Sequence, residues 1–357
     1  EGRIAMQILF TPAAQHKPKP ESDFGFGKIF TDYMFEMDYD EQLGWHDAQI
    51  RPYGPLKLDP ASLVLHYAQE TFEGLKAYRT EDGRILLFRP EMNARRLIQS
   101  NQRLCMPEIP EALFLECLEA LLRVERDWVP IAPSSLYIRP FVFATEAAVG
   151  VHPSSKYKFM ILLSPVGAYY ADGLNPVRIY VEDEYIRATP GGTGAVKCGG
   201  NYAASIIAQA QAARCGFSQV LWLDGKERKY VEEVGTMNVM FKIKGQLITA
   251  PLDGTILPGI TRDSILHLMR EHGLSVKERP LTIDELMDAG RTGQLEEAFG
   301  TGTAAVISPI GQLHYKGETI RIHNEKIGPL TQWLYDTLTG IQWGRIPDSY
   351  GWTHEIV

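Results

Sequence analysis

Between residues 165 and 176 the chain reads "PVGAYYADGLNP", with two prolines and two glycines set between long apolar, strand-like runs. Proline fixes φ and removes a backbone donor, and glycine leaves the backbone unconstrained, so neither sheet continues through this stretch. A chain of 357 residues is too long for one ordinary core. The break therefore predicts two domains: a smaller N-terminal domain at 1–165, an interdomain loop at 166–176 and a larger C-terminal domain at 177–357.

Local patterns fill in both halves. "KIFTDYMFEMDYD", "GRILLFRP", "SLYIRPFVFATE" and "KYKFMILLSPVGAYY" read as strands, and apolar residues recur at helical spacing in "EMNARRLIQSNQRL" (91–104) and "PEALFLECLEALLRVERDWV" (110–129). Beyond the break, "NPVRIYVEDEYIR" and "SQVLWLDG" read as strands, and "YAASIIAQAQAARCG" as a helix closed by Gly216. "MNVMFKIKGQLITA" predicts a hairpin turning at Lys244-Gly245, "PGITRDSILHLMREHG" a loop leading into a helix that stops at Gly273, and Thr282 with Glu285 a capping box. Strands and helices do not alternate strictly, so the fold class is α+β or mixed α/β rather than doubly wound.

The formal net charge of −8, with no dense Lys/Arg stripe, excludes the footprint that nucleic acid or an anionic membrane requires. No apolar run is long enough to span a bilayer. Cys105, Cys117, Cys198 and Cys215 show no CxxC spacing, which argues for a reducing compartment and against a zinc site. No signal-like stretch opens the sequence, so a cytoplasmic setting is expected, with the mitochondrial matrix as the alternative.

One segment calls for chemistry. In "GGTGAVKCGGNYAAS" (191–205), Lys197 sits among glycines that let backbone approach a ligand closely. A phosphate-binding P-loop needs glycine before its lysine and Ser or Thr after it, whereas here the neighbours are Val196 and Cys198. A dinucleotide fingerprint fails as well, because no acidic residue and strand follow at the required places. What remains for Lys197 is covalent chemistry, its amine forming a Schiff base with a carbonyl cofactor or substrate; the bland alternative is a surface lysine on a flexible loop.

Companion segments strengthen the covalent reading: "FEGLKAY", "VEEVGTMN", "LPGITRDS" and "FGTGTAAVISP". Together with "KCGGNYA" they resemble the branched-chain amino acid aminotransferases, enzymes of pyridoxal-phosphate fold type IV, from "FGKIFTDYMF" to the last tryptophan. The resemblance implies a two-domain fold with a pseudo-barrel sheet in the larger domain, pyridoxal 5'-phosphate as cofactor, and a homodimer. It implies transfer of the amino group of leucine, isoleucine or valine to 2-oxoglutarate in a ping-pong cycle. A D-amino acid transaminase or an aminodeoxychorismate lyase would use the same lysine with other pocket residues, and a silent scaffold would keep only the fold; the extent of the match favours the branched-chain enzymes.

Residue by residue, the resemblance makes Lys197 the Schiff-base lysine, Glu233 the acid beside the pyridine nitrogen, Tyr202 the phenol at the ring oxygen, and Arg96 the phosphate arginine. Thr236, Thr303 and the amides of Ile260 and Thr261 complete the cofactor set. On the substrate side it implies Phe26, Tyr67, Phe72, Tyr137, Arg139, Tyr169, Thr303 and Ala304, with Val149 and Val151 reaching the partner subunit's pocket. Arg139 and Tyr137 are the expected receptors for the distal carboxylate of glutamate. Where mammalian members have a CxxC thiol pair, this chain has Ala305 and Ser308, so that redox switch is absent.

Overall fold

The computed structural model describes residues 6–167 and 174–357. Its contacts divide the chain into two compact units, one of Glu1–Tyr169, Lys197–Gly199 and Gly340–Val357, the other of Tyr170–Val196 and Gly200–Thr339. This corrects the simple division at 166–176 in two places and reverses the expected sizes, since the first unit is the larger. Gly340–Val357 belongs with the first unit because strand Thr353–Ile356 pairs antiparallel with Ile85–Phe88 and Trp343 packs edge-on against Tyr78 at 4.8 Å. The second exception is Lys197–Gly199 itself.

In the first unit the strands run in the order Leu9–Phe10, Gly44–Pro52, Tyr33–Asp40, Lys156–Val166, Ser135–Ala144, Leu75–Arg79, Ile85–Phe88 and Thr353–Ile356. Among these strands the Leu9–Phe10 pairing is parallel and the others are antiparallel. A short strand, Glu70–Phe72, also pairs with Ser135–Ala144. Because successive strand residues point to opposite faces, Leu136, Ile138 and Val142 join Phe35, Phe159 and Ile161 in one buried layer, and the alternate residues Tyr137 and Arg139 lie on the other face.

Helices Pro90–Arg103 and Glu111–Val124 cover the apolar layer, the latter through Phe114, Cys117, Leu118, Leu121 and Leu122. The helix expected to run to 129 ends at Val124. A separate 3₁₀ turn, Arg126–Trp128, follows, where the Trp128 indole N–H donates to Asp32 (3.1 Å) and the Glu125 carboxylate accepts the Tyr33 N–H.

The second unit closes a ring of strands. Val231–Val234, Gln219–Leu223, Val177–Glu182, Val306–Tyr315, Leu295–Gly302 and Met237–Ile243 are neighbours in that order, and Val231–Val234 also pairs with Met237–Ile243. Closure of these six strands forms a barrel, and Gln246–Thr249, Val276–Glu278 and Glu318–Arg321 extend the sheet outside the ring. Helix Gly199–Arg214 is the crossover between the parallel strands Val177–Glu182 and Gln219–Leu223. Its Ala208 and Ala212, four residues apart, pack on Val220 and Trp222. The helix begins at Gly199, earlier than its apolar pattern implied.

Turn chemistry follows the residues. Lys244 and Gly245 both take positive φ, +51° and +73°, as a two-residue hairpin turn demands. Thr282 Oγ1 accepts the Glu285 N–H at 3.1 Å, the forward half of the capping box, while the Glu285 carboxylate is held by Arg279. Replacing Thr282 by Ala should therefore cost about 0.5–2 kcal/mol, read as a lower denaturation midpoint. Loss of Arg279 should cost less, because that pair is partly exposed.

Candidate active site

Lys197 is fixed by its backbone before its side chain is considered. Its N–H donates to Ser100 Oγ at 3.2 Å, and its carbonyl accepts the Phe72 N–H at 3.0 Å. The amine lies 4.8 Å from the centroid of the Phe72 ring. Burial, reinforced by the nearby Arg96 guanidinium and opposed by Glu73 and Tyr137, lowers the amine to about 8. A lysine near that value is neutral often enough to act as a nucleophile and charged often enough to give a proton back.

Arg96 lies on helix Pro90–Arg103, facing inward, while Arg95 points out to Glu111. Its Nε and one Nη donate to the two oxygens of Glu73 at 2.7 and 2.8 Å, a fork-to-carboxylate pair, and Asn93 adds a third donor at 2.8 Å. Burial alone would raise the fully buried Glu73 carboxyl, but Arg96 and Lys197 outweigh it and hold it below the usual carboxylate range. Arg96, expected at a phosphate, is thus anchored to a carboxylate.

Tyr137 and Arg139 alternate on one strand and meet on one face. The Arg139 Nη2 donates to the Tyr137 hydroxyl at 2.9 Å, and its guanidinium lies 4.6 Å from the centroid of the same Phe72 ring that faces Lys197. Two cations thus share one aromatic ring. The Arg139 Nε is buried with no hydrogen-bond partner among the described residues. Phe26 packs edge-on against Tyr137 at 5.0 Å. Gly74 is required here, since a Cβ would sit 2.3 Å from the Tyr137 hydroxyl.

Tyr67, Val149 and Val151 form a separate, exposed group. The Tyr67 hydroxyl donates to the Val149 carbonyl, and Val149 and Val151 are 69% and 82% exposed. Tyr169 lies outside the described residues.

In the second unit, Glu233 is buried on strand Val231–Val234. Its Oε1 accepts from Asn238 Nδ2 at 3.0 Å and from the Leu257 N–H at 3.1 Å, and the Arg187 Nε lies 3.1 Å from Oε2 as an ion pair without hydrogen-bond alignment. Its neighbour Glu232 is buried too, with one oxygen taking the Thr255 hydroxyl at 2.6 Å, so neither acid is a solvated loop carboxylate. Glu233, Tyr202, Thr236, Arg187, Asn201 and Val196 line one cavity.

Asn201 fastens the glycine-rich loop, its Nδ2 donating to the carbonyls of Thr193 (2.7 Å) and Val196 (2.8 Å). Ile260 and Thr261 open helix Ile260–Glu271 behind the N-cap Gly259, where a Cβ would lie 1.9 Å from Asn238 Oδ1. The start of that helix therefore sits against the Asn238 that holds Glu233. Thr303 and Ala304 lie in the turn between strands Leu295–Gly302 and Val306–Tyr315, and Ala305 and Ser308 are buried. Sequence reasoning missed Glu73, Asn93, Arg187, Asn201 and Asn238. Glu73, Asn201 and Asn238 stood inside quoted motifs, but no spacing rule pairs them with their partners.

The lowered Lys197 amine has a definite pH signature. A lysine whose folded pKa lies below its unfolded value costs stability below about pH 8, and that cost fades as pH rises towards 10.5. Lys197→Met should flatten stability against pH across that window. Reductive methylation of the protein, followed peptide by peptide, should show Lys197 gaining reactivity near pH 8. A rate that rises only above pH 10 would contradict this reading.

Residues 70–313 match the family model described as Amino-transferase class IV. The chain is 55% identical over 342 residues to branched-chain-amino-acid aminotransferase 2 of Bacillus subtilis, covering 95% of this chain and 94% of that protein. It is 52% identical over 335 residues to the branched-chain-amino-acid aminotransferase of Mycolicibacterium smegmatis, covering 92% and 91%. Among solved structures it is similar to the Escherichia coli branched-chain amino acid aminotransferase, with a TM-score of 0.77 and 28% identity over 91% of this chain and 99% of that one. It is also similar to the T.th. branched-chain amino acid aminotransferase complexed with N-(5'-phosphopyridoxyl)-L-glutamate, with a TM-score of 0.74 and 26% identity over 90% and 98%. Likeness at this level over nearly the whole length places the chain among the class IV aminotransferases, as a member of the branched-chain amino acid aminotransferase family.

Proposed function

We propose that this chain moves the amino group of leucine, isoleucine or valine to 2-oxoglutarate in a ping-pong cycle, with pyridoxal 5'-phosphate carried covalently on the Lys197 amine. The observation that carries the proposal is a lysine anchored at both its peptide groups with its amine over the Phe72 ring, a setting whose burial lowers that amine to about 8. The relatives' names support the substrate class, and the phosphopyridoxyl-glutamate complex of the T.th. enzyme supports glutamate as the second amino acid.

The residues present suit such a cofactor. When bound, it supplies an electron sink for the pair released at the substrate's Cα. Lys197 takes the proton from Cα and returns it. Glu233, buried with Arg187 balancing its charge, would hold the pyridine nitrogen, and Tyr202 the ring oxygen. Thr236 lines the same cavity. The Ile260 and Thr261 amides, at a helix N-terminus, favour the phosphate, with Arg96 and Thr303 as its further donors.

Thr303 and Ala304 would offer amides to the substrate's α-carboxylate. Phe26, Phe72 and Tyr137 would supply the apolar side, and Arg139, whose Nε lacks a partner among the described residues, would receive glutamate's distal carboxylate. Tyr67, Val149 and Val151, exposed in the single chain, suit contact with a second copy in a homodimer.

Leucine added to the cofactor-loaded protein should shift its visible absorption, and 2-oxoglutarate should restore it with release of glutamate. Borohydride trapping should label Lys197, and Lys197→Ala should abolish both turnover and label; a label on another lysine removes the assignment. Arg139→Met should cost the glutamate half-reaction about 2–4 kcal/mol, the order for truncating a desolvated charge pair, and leucine much less. Equal losses with a lower melting temperature would mean that Arg139 braces the domain instead.

A further inference from the structure

We infer that Glu70 is a positioning residue for Lys197, its carboxylate holding the stretch Lys197–Gly199 against strand Glu70–Phe72 by accepting the Gly199 N–H. The strand is short, but both its faces are committed. Thr71, fully buried between its two neighbours, bonds through its hydroxyl to Asn101 of helix Pro90–Arg103. That contact sets strand against helix and turns Glu70 and Phe72 together to the opposite side.

There, Phe72 gives its N–H to the Lys197 carbonyl and its ring to the Lys197 amine, while the Glu70 carboxylate takes the Gly199 N–H. Ser100, adjacent to Asn101 on the same helix, takes the Lys197 N–H. The register of strand and helix is thus transmitted to three points along the reactive stretch. Between Cys198 and Asn201 the sequence is glycine only, so no side chain there can anchor the backbone.

Glycine is the one residue type this contact admits at position 199. A Cβ would lie 2.1 Å from Glu70 Oε1, so any side chain displaces the carboxylate from the N–H it accepts. A hydrogen bond from backbone N–H to carboxylate is also stronger than a neutral one. Glu70 touches no reacting atom in this scheme; it acts through the backbone of Lys197.

That Lys197 is the reactive amine rests on the function proposed above; that Glu70 orders Lys197–Gly199 does not. Hydrogen–deuterium exchange on the full chain, with and without pyridoxal phosphate, tests the ordering directly. Glu70→Ala should speed exchange in the peptide spanning 196–201 by at least about tenfold, with peptides of the barrel strands unchanged. Glu70→Gln keeps an acceptor oxygen and should stay within about threefold of the parent. Gly199→Ala, which keeps the N–H but evicts the carboxylate, should reproduce the looser exchange of Glu70→Ala.

In turnover, Glu70→Ala should lower kcat for leucine about 10- to 100-fold with KM little changed, the mark of a misplaced group rather than a lost binding contact, and Glu70→Gln should restore most of it. Unchanged exchange at 196–201 in Glu70→Ala, or exchange that rises equally in remote peptides, overturns the inference. If the parent chain shows no transamination while the exchange results hold, the function falls and the role of Glu70 stands.

Discussion

On the proposed function, catalysis depends on a backbone being held still where it has no side chains to hold it. Lys197 lies in a run rich in glycine, the residue that loses most conformational freedom on ordering. The structure offsets that loss with hydrogen bonds to the peptide groups themselves: Ser100 and Phe72 at Lys197, Glu70 at Gly199, and Asn201 at Thr193 and Val196. Glycine is retained where the acceptor approaches too closely for a Cβ, as at Gly199. Flexible sequence and rigid structure are therefore the same design seen at two levels.

A second constraint is charge. An amine lowered to about 8 needs a dry surrounding that does not itself fill with uncompensated charge. Two of the buried acids, Glu73 and Glu233, are accordingly both paired and multiply hydrogen-bonded. Glu73 takes Arg96 and Asn93, and Glu233 takes Asn238, the Leu257 N–H and the nearby Arg187. Such pairs contribute little net stability, since desolvation offsets their attraction, but removing one partner strands the other at large cost. Arg96 and Arg187 are therefore structural counterions, whatever else each of them binds.

Apolar and cationic demands meet at Phe72. Its ring faces both the Lys197 amine and the Arg139 guanidinium, so a single aromatic side chain serves two cations without adding a carboxylate. On the proposed function, such a surface would take an aliphatic side chain by contact and leave Arg139 to an acidic one. Gly74 makes room for Tyr137 beside it, and Tyr137 orients Arg139 through its hydroxyl.

Several features were legible in the sequence because they depend on neighbours along the chain. The Lys244-Gly245 turn, the Thr282 cap and the glycine ends of two helices follow from local backbone chemistry. So did the family, because its motifs are short runs of adjacent residues. The partners of those motifs were not legible. Glu73 with Arg96, Arg187 with Glu233, and Glu70 with Gly199 are joined across long sequence separations, and no periodicity records which strand a helix will lie against. For the same reason the last residues, read as part of the larger domain, belong with the first unit: a strand's partner is chosen by an open edge and a matching apolar face, which exist only once the sheet has formed. The sequence determined which residues could do the chemistry; tertiary structure decided which of them are charged, paired and held in place, because burial and through-space contact are properties of the folded chain alone.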